Sequence, residues 1–238
     1  MKTVKCFFQL IWSLIVNYGN MRKIKAMDKN NIDRKEREEF VYKVTSKWAR
    51  YVVNSTGSNV KVYGEDNVLK DTPVVYICNH LSDFDIPLLM GYVDAPKGFI
   101  AKIEMLKVPV VRTWMTFIHC VFMDRSNLRK SAASIIEGVK IIKNGNSLVI
   151  FPEGTRSKDG KMLEFKGGSF KLATKAKVPI IPITLVGSNN IFEANNKRIK
   201  SADVKIFIHP AIETKDLTKA EAEELPAKVK AIIASKLN

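Results

Sequence analysis

Short, wholly apolar runs recur along this chain with helical stretches between them, and that alternation limits the possible fold more than any other feature. Pro73–Cys78 (PVVYIC) is the clearest run. A strand that reads apolar at every position, with no polar alternation, must be covered on both faces. Val60–Tyr63 looks like a strand, and Gly98–Ala101, Cys120–Met123, Ser147–Phe151, Ile180–Leu185 and Val204–Ile208 read the same way as Pro73–Cys78. Helical spacing fills the gaps over Arg129–Lys143 and Gly168–Lys175, and Leu217–Leu237 reads as a closing helix. The pattern predicts an α/β fold: a mostly parallel central sheet flanked by helices. At 238 residues the chain suits one such domain plus a small helical addition.

That addition is predicted at the N-terminus. Cys6–Val16 (CFFQLIWSLIV) is nearly all apolar, with lysines on both flanks. It falls short of the about 20 apolar residues that a membrane-spanning helix needs. No small-residue cleavage site follows it, so it does not read as a signal peptide. Its aromatics Phe7, Phe8, Trp12 and Tyr18 suit a helix lying in a membrane interface. Asn31–Val53 reads as a long amphipathic helix, which either completes a membrane-docking pair with the first segment or packs on the sheet. The expected division is residues 1–55 as an N-terminal helical membrane-docking segment and 56–238 as the α/β catalytic domain.

A formal charge of +15 draws polyanions, and charge alone does not choose between nucleic acid, anionic membrane and phosphorylated substrates. Cys6, Cys78 and Cys120 are far apart and odd in number, which argues against a disulfide framework or a zinc site. Among the histidines, His80 stands out, because His119 at the edge of an apolar run and His209 before Pro210 read as structural.

Ligands of open α/β sheets bind beyond the carboxyl ends of the strands. Four loops there carry chemically capable residues: Asn79-His80-Leu81-Ser82-Asp83-Phe84-Asp85, Lys102, Asp124-Arg125 and Glu153-Gly154-Thr155-Arg156. If their strands run parallel, the loops share one edge of the sheet. On a continuous helix, His80 and Asp85 would point about 140° apart. Asp85 precedes Ile86-Pro87, a helix-start signal, so His80 ends a strand and Asp85 opens the next helix. A carboxylate placed there fixes the imidazole tautomer and leaves the other ring nitrogen free to take a proton. A capped loop histidine is the plain alternative reading. No Gly-x-Ser-x-Gly elbow occurs, and Cys78 sits inside an apolar strand. The pattern favours direct attack by a substrate hydroxyl with His80 as general base. Lys102, Arg125 and Arg156 offer cations suited to phosphate, whereas Lys166 reads as a solvated surface lysine. Glu153 reads as an orienting group, and Gly154 permits a tight backbone approach.

NHLSDFD (79–85) resembles the Asn-His-x-Ser-x-x-Asp block of the glycerolipid acyltransferase family. FPEGTRS (151–157) is similar to that family's third block, IAKIEML (100–106) with VFMDRS (121–126) to its second, and VPIIPI (178–183) to its fourth. All four fall in the family's order. The resemblance implies that His80, backed by Asp85, deprotonates an acceptor hydroxyl that attacks an acyl thioester. It assigns the acceptor's phosphate to Lys102, Arg125 and Arg156. Asn79, Ser82, Glu153, Gly154 and Thr155 shape the site, and Val178–Ile183 lines the acyl-donor side. It implies no metal and no cofactor beyond the donor itself, acyl-CoA or acyl carrier protein. The implied acceptor is lysophosphatidic acid, with glycerol 3-phosphate or another lysophospholipid as the alternative. The implied location is the cytoplasmic face of the cell membrane, peripheral or monotopic. A basic nucleic-acid-binding module would account for the charge but not for the His80/Asp85 block. Two positions depart from the family pattern: Leu81 stands where many members carry Gln, and Ile118-His119-Cys120 where a glycine is frequent.

Overall fold

The computed structural model describes residues 2–157 and 160–237; the outermost residues of the two expected segments, Met1 and Asn238, lie outside them. Seven strands form one sheet: β1 (Asn59–Tyr63), β2 (Val75–Cys78), β3 (Gly98–Lys102), β4 (Val121–Met123), β5 (Leu148–Ile150), β6 (Ile180–Val186) and β7 (Asp203–Ile208). Their order is β1-β7-β6-β2-β5-β3-β4. From β6 through β4 every neighbouring pair is parallel. β7 runs antiparallel to β6 and parallel to β1.

The apolar run of β2 is explained by the two layers around it. Tyr76 and Cys78 face one core cluster, while Val75 and Ile77 face the other, as the period-2 alternation of a strand requires. Helices α3 (Arg34–Ser55) and α4 (Asp85–Tyr92) cover the first face through Ala49, Val53, Leu88 and Leu89. Helices α6 (Leu128–Lys143) and α8 (Lys219–Ala234) cover the second through Ile135, Val139, Leu225 and Val229. Gly91 allows α3 to close on α4: a Cβ there would stand 3.0 Å from the Arg50 amide nitrogen. Arg50 Nε in turn donates to the Gly91 carbonyl at 2.6 Å. Helix α3 is thus a helix packed on the sheet layer.

Helix α1 (Lys2–Val16) is apolar nearly all round. Its inner face is pinned to α3, with Trp48 Nε1 donating to Ser13 Oγ at 3.0 Å and Cys6 Sγ to the Ser55 carbonyl at 3.2 Å. Phe7, Phe8 and Trp12 face outward, at 59%, 66% and 63% exposure. No helix among the described residues is long and apolar enough to cross a membrane. Two helices were not anticipated from the sequence, α2 (Tyr18–Lys29) and α5 (Pro109–Phe117). The short helix α7 is Lys171–Ala176, entered through a 3-10 turn at Gly167–Phe170.

Candidate active site

The carboxyl ends of β2, β3, β4 and β5 share one edge of the sheet, so the four loops singled out in the sequence meet there. His80 leaves the end of β2. Residues 81–84 turn, and Asp85 opens α4, with the Asp85 amide donating to the Ser82 carbonyl at 3.2 Å. The turn folds the carboxylate back: Asp85 Oδ2 lies 2.8 Å from His80 Nδ1 and accepts from the amides of Leu81 at 2.7 Å and Ser82 at 2.8 Å. Two backbone amides and the imidazole nitrogen converge on this one oxygen, and the carboxylate is fully buried. In the tautomer with its proton on Nδ1, the ring donates to Asp85 and Nε2 holds the lone pair.

The imidazole is clamped from other sides. It stacks on Phe151 with ring centroids 4.0 Å apart. The His80 amide donates to Glu153 Oε1 at 2.7 Å, while Glu153 Oε2 takes the Leu163 amide at 2.7 Å. Glu153 is thus an orienting group, as its position suggested. Burial pushes its pKa above the ordinary carboxylate value, against the pull of those two amides. Asn79 acts as a surrogate strand residue: its side chain donates to the Leu185 carbonyl at 2.9 Å and accepts from the Leu185 amide at 2.8 Å. That pair locks the start of the histidine loop to β6. Burial holds the Cys78 thiol well above its usual range, in keeping with a core residue.

His80 opens onto a cavity of about 520 Å³. Its polar end is lined by His80, Lys102, Arg125, Thr155, Arg156 and Asp83. Its apolar wall comes from α1, α3 and α5 through Leu10, Leu14, Trp48, Trp114 and Met115 among others. The three expected cations are therefore brought to one cavity. Arg125 donates to the Gly154 carbonyl, which fixes it beside the turn. Gly154 has φ +73°, the left-handed region that favours glycine. Arg156 is not free. Its Nη1 donates to Asp83 Oδ2, and to Glu193 Oε1 at 2.9 Å. Glu193 lies on a 3-10 turn (Glu193–Asn195) between β6 and β7, and sequence reasoning missed it.

Two further expectations meet different outcomes. Val178–Ile183 falls in and just before β6, where Ile180, Ile181 and Ile183 are core residues, and it contributes no cavity lining among the described residues. The strand order explains this, because β6 lies on the far side of β2 from α5. Of Ile118-His119-Cys120, the first and last line the cavity. His119 turns away at φ +58° to place Nε2 2.9 Å from Glu38 Oε1. No group of His, Cys, Asp and Glu among the described residues has the arrangement of a metal centre.

The chain is similar to known proteins. The family profile described as Acyltransferase matches residues 59–186, from β1 through the end of β6. The 1-acyl-sn-glycerol-3-phosphate acyltransferase of Borreliella burgdorferi is 34% identical over 182 residues, 76% of this chain and 72% of that one. A probable 1-acyl-sn-glycerol-3-phosphate acyltransferase of Mycoplasma genitalium is 32% identical over 208 residues, 82% of this chain and 75% of that one. The crystal structure of the 1-acyl-sn-glycerophosphate (LPA) acyltransferase PlsC from Thermotoga maritima superposes with a TM-score of 0.82 at 27% identity, covering 99% of this chain and 95% of that one. A profile match over more than half the chain, together with relatives aligned along three quarters of it, shows the lineage: this chain belongs to the acyltransferase family.

Proposed function

We propose that this protein transfers a fatty acyl group from an acyl thioester to the free hydroxyl of 1-acyl-sn-glycerol 3-phosphate, giving phosphatidic acid. One observation carries the reading. The free nitrogen of a histidine held by a buried carboxylate opens onto a cavity that is cationic at one end and apolar along its wall. The relatives whose names give this acceptor support the choice of substrate.

His80 Nε2 takes the proton of the acceptor hydroxyl as its oxygen attacks the thioester carbonyl. The Asp85 carboxylate, already bonded to Nδ1–H, stabilises the imidazolium that forms. The tetrahedral adduct collapses, the C–S bond breaks, and the thiolate leaves with the proton from Nε2. Lys102, Arg125 and Arg156 hold the phosphate of the acceptor at the polar end. Asn79, Ser82, Glu153, Gly154 and Thr155 keep the loops in register. The acyl chain lies along the wall made by α1, α3 and α5. The donor is acyl-CoA or acyl carrier protein, and the chemistry requires no metal or further cofactor.

In the same reading residues 1–55 dock the protein on the cytoplasmic face of a membrane, and 56–238 form the acyltransferase domain. Exposed Phe7, Phe8 and Trp12 with Lys2, Lys5, Arg22 and Lys23 nearby support that placement. The test is thiol release from oleoyl-CoA in detergent, with and without lysophosphatidic acid, for the native protein and His80→Ala. Release that depends on the acceptor and vanishes in the variant is expected, with the far-UV spectrum unchanged. Activity retained in His80→Ala would remove the general-base mechanism. A response to glycerol 3-phosphate or another lysolipid alone would move the acceptor.

A further inference from the structure

The loop between β6 and β7 reaches into the active site, and nothing in the four motif blocks accounts for it. β6 is the neighbour of β2 on the side away from β5, so the chain leaving β6 rises beside the histidine loop. Ile191, fully buried, roots this loop in the core, and Phe192 packs edge-on against Phe84 with centroids 6.4 Å apart. Between these anchors and β7 the chain presents Glu193.

Its carboxylate joins three groups. Oε2 accepts from Ser82 Oγ at 2.6 Å. Oε1 accepts from the Asp83 amide at 2.8 Å and from Arg156 Nη1 at 2.9 Å. Ser82 Oγ in turn accepts the Phe84 amide at 3.1 Å, which tightens the turn that brings Asp85 back to His80. A single carboxylate therefore ties the histidine loop to the arginine of the Glu-Gly-Thr-Arg loop. Asp83 also contacts Arg156, but the two acids are not equivalent: the Asp83 side chain is 64% exposed and the Glu193 side chain 23%. Glu193 is held by its other two bonds whether or not Arg156 is engaged. Arginine has five donors in a planar fork, so one edge can rest on Glu193 while the other meets a phosphate.

We propose that Glu193 is a positioning residue that sets Arg156 for the acceptor's phosphate. This rests on the assignment of Arg156 to phosphate binding. Acting through the arginine, Glu193 governs capture of the phosphorylated acceptor rather than of the acyl donor. Its removal leaves the Arg156 side chain without its less exposed anchor, so the ordering must then come from substrate binding itself.

The experiment is steady-state kinetics with lysophosphatidic acid and oleoyl-CoA varied in turn, for the native protein, Glu193→Ala, Glu193→Gln, Arg156→Ala and Glu193→Ala/Arg156→Ala. Glu193→Ala is expected to raise the acceptor KM about tenfold, the scale of one charge-assisted hydrogen bond, with the donor KM roughly unchanged. Glu193→Gln keeps the shape and an acceptor oxygen and recovers most of the loss. In the double variant the Glu193 substitution adds nothing to the effect of Arg156→Ala, because its action passes through that side chain. A merely structural role would instead add in the double variant and move both KM values. Additivity, or an acceptor KM that stays level or falls in Glu193→Ala while Arg156→Ala raises it, would overturn the proposal. An acceptor KM untouched by Arg156→Ala would remove the phosphate assignment first and this inference with it. Should Glu193→Ala fail to fold, the Glu193→Gln variant carries the test in both backgrounds: it must still raise the acceptor KM, and only when Arg156 is present.

Discussion

Arg156 carries one positive charge and contacts two carboxylates. On the proposed assignment of Arg156 to phosphate, a phosphate monoester competes with one of them. Glu193 is anchored by Ser82 and the Asp83 amide, whereas the Asp83 side chain is largely exposed and free to swing. Asp83 is thus the displaceable partner, and Asp83→Asn is expected to lower the acceptor KM. An exposed ion pair counts for at most about 1 kcal/mol, which corresponds to a gain of up to about fivefold. Titrating lysophosphatidic acid at saturating donor checks this, and a raised KM would mean that Asp83 supports the phosphate site instead of occupying it. At this scale the sequence was informative about His80 and Asp85, because a helix-start signal five residues after a strand-end histidine dictates a turn that brings the two together. It was silent on Glu193. Nothing in the local sequence distinguishes an acid in a polar loop from one beneath an arginine; the distinction comes from which strands are neighbours.

Helix α4 links chemistry to fold, since Asp85 opens it and Lys97 closes it. Lys97 Nζ donates to the carbonyls of Leu89 at 3.2 Å and Val93 at 2.7 Å, so a lysine from beyond the helix seals its last turn. Burial pushes this amine down to about 7 from its usual 10.5, against the pull of Asp94. Between those values the unfolded chain binds a proton that the folded chain does not. Stability therefore rises with pH from about 7 toward 10.5, with a slope of at most about 1.4 kcal/mol per pH unit. Urea midpoints measured from pH 7 to 9 should climb in the native protein and climb less in Lys97→Met. Equal slopes would show that Lys97 keeps its proton in the fold. The elements differ in how readily they could be read. The central strands β2 and β5 were legible because burial on both faces leaves no polar position in them. Helix α2 was not, because only Ile24 and Met27 of its twelve residues are buried and no side chain caps it. It is held by packing on α3, and its lysines look like the flank of an apolar segment. Helix α5 was obscured for the opposite reason: Pro109-Val110-Val111 starts it with β-branched residues, and its amphipathic face matters only because the cavity lies beneath.

On the scale of the whole molecule, α1 faces two apolar environments at once. Leu10 and Leu14 line the cavity, while Phe7, Phe8, Ile11, Trp12 and Ile15 are exposed. A helix that is apolar all round is normally buried. Here only Cys6 and Ser13 are, and pairing to α3 satisfies just one face. On the proposed docking, a bilayer surface covers the unpaired face, and exposed Lys2, Lys5, Arg22 and Lys23 add attraction to anionic headgroups. Because α1 also lines the cavity, the proposed docking would let a lipid acceptor reach His80 without its chain crossing water. Replacing Phe7, Phe8 and Trp12 together by Ser removes three aromatics, each contributing on the order of 1 kcal/mol or more when buried in the interface. Affinity for anionic vesicles, read by co-sedimentation, should drop by roughly a hundredfold or more. Turnover should fall steeply with lysophosphatidic acid presented in those vesicles and much less with the acceptor dispersed in detergent, where no docking is needed. An equal loss in both formats would place these aromatics in the folding of α1 against α3, and would leave the membrane to be met by another surface.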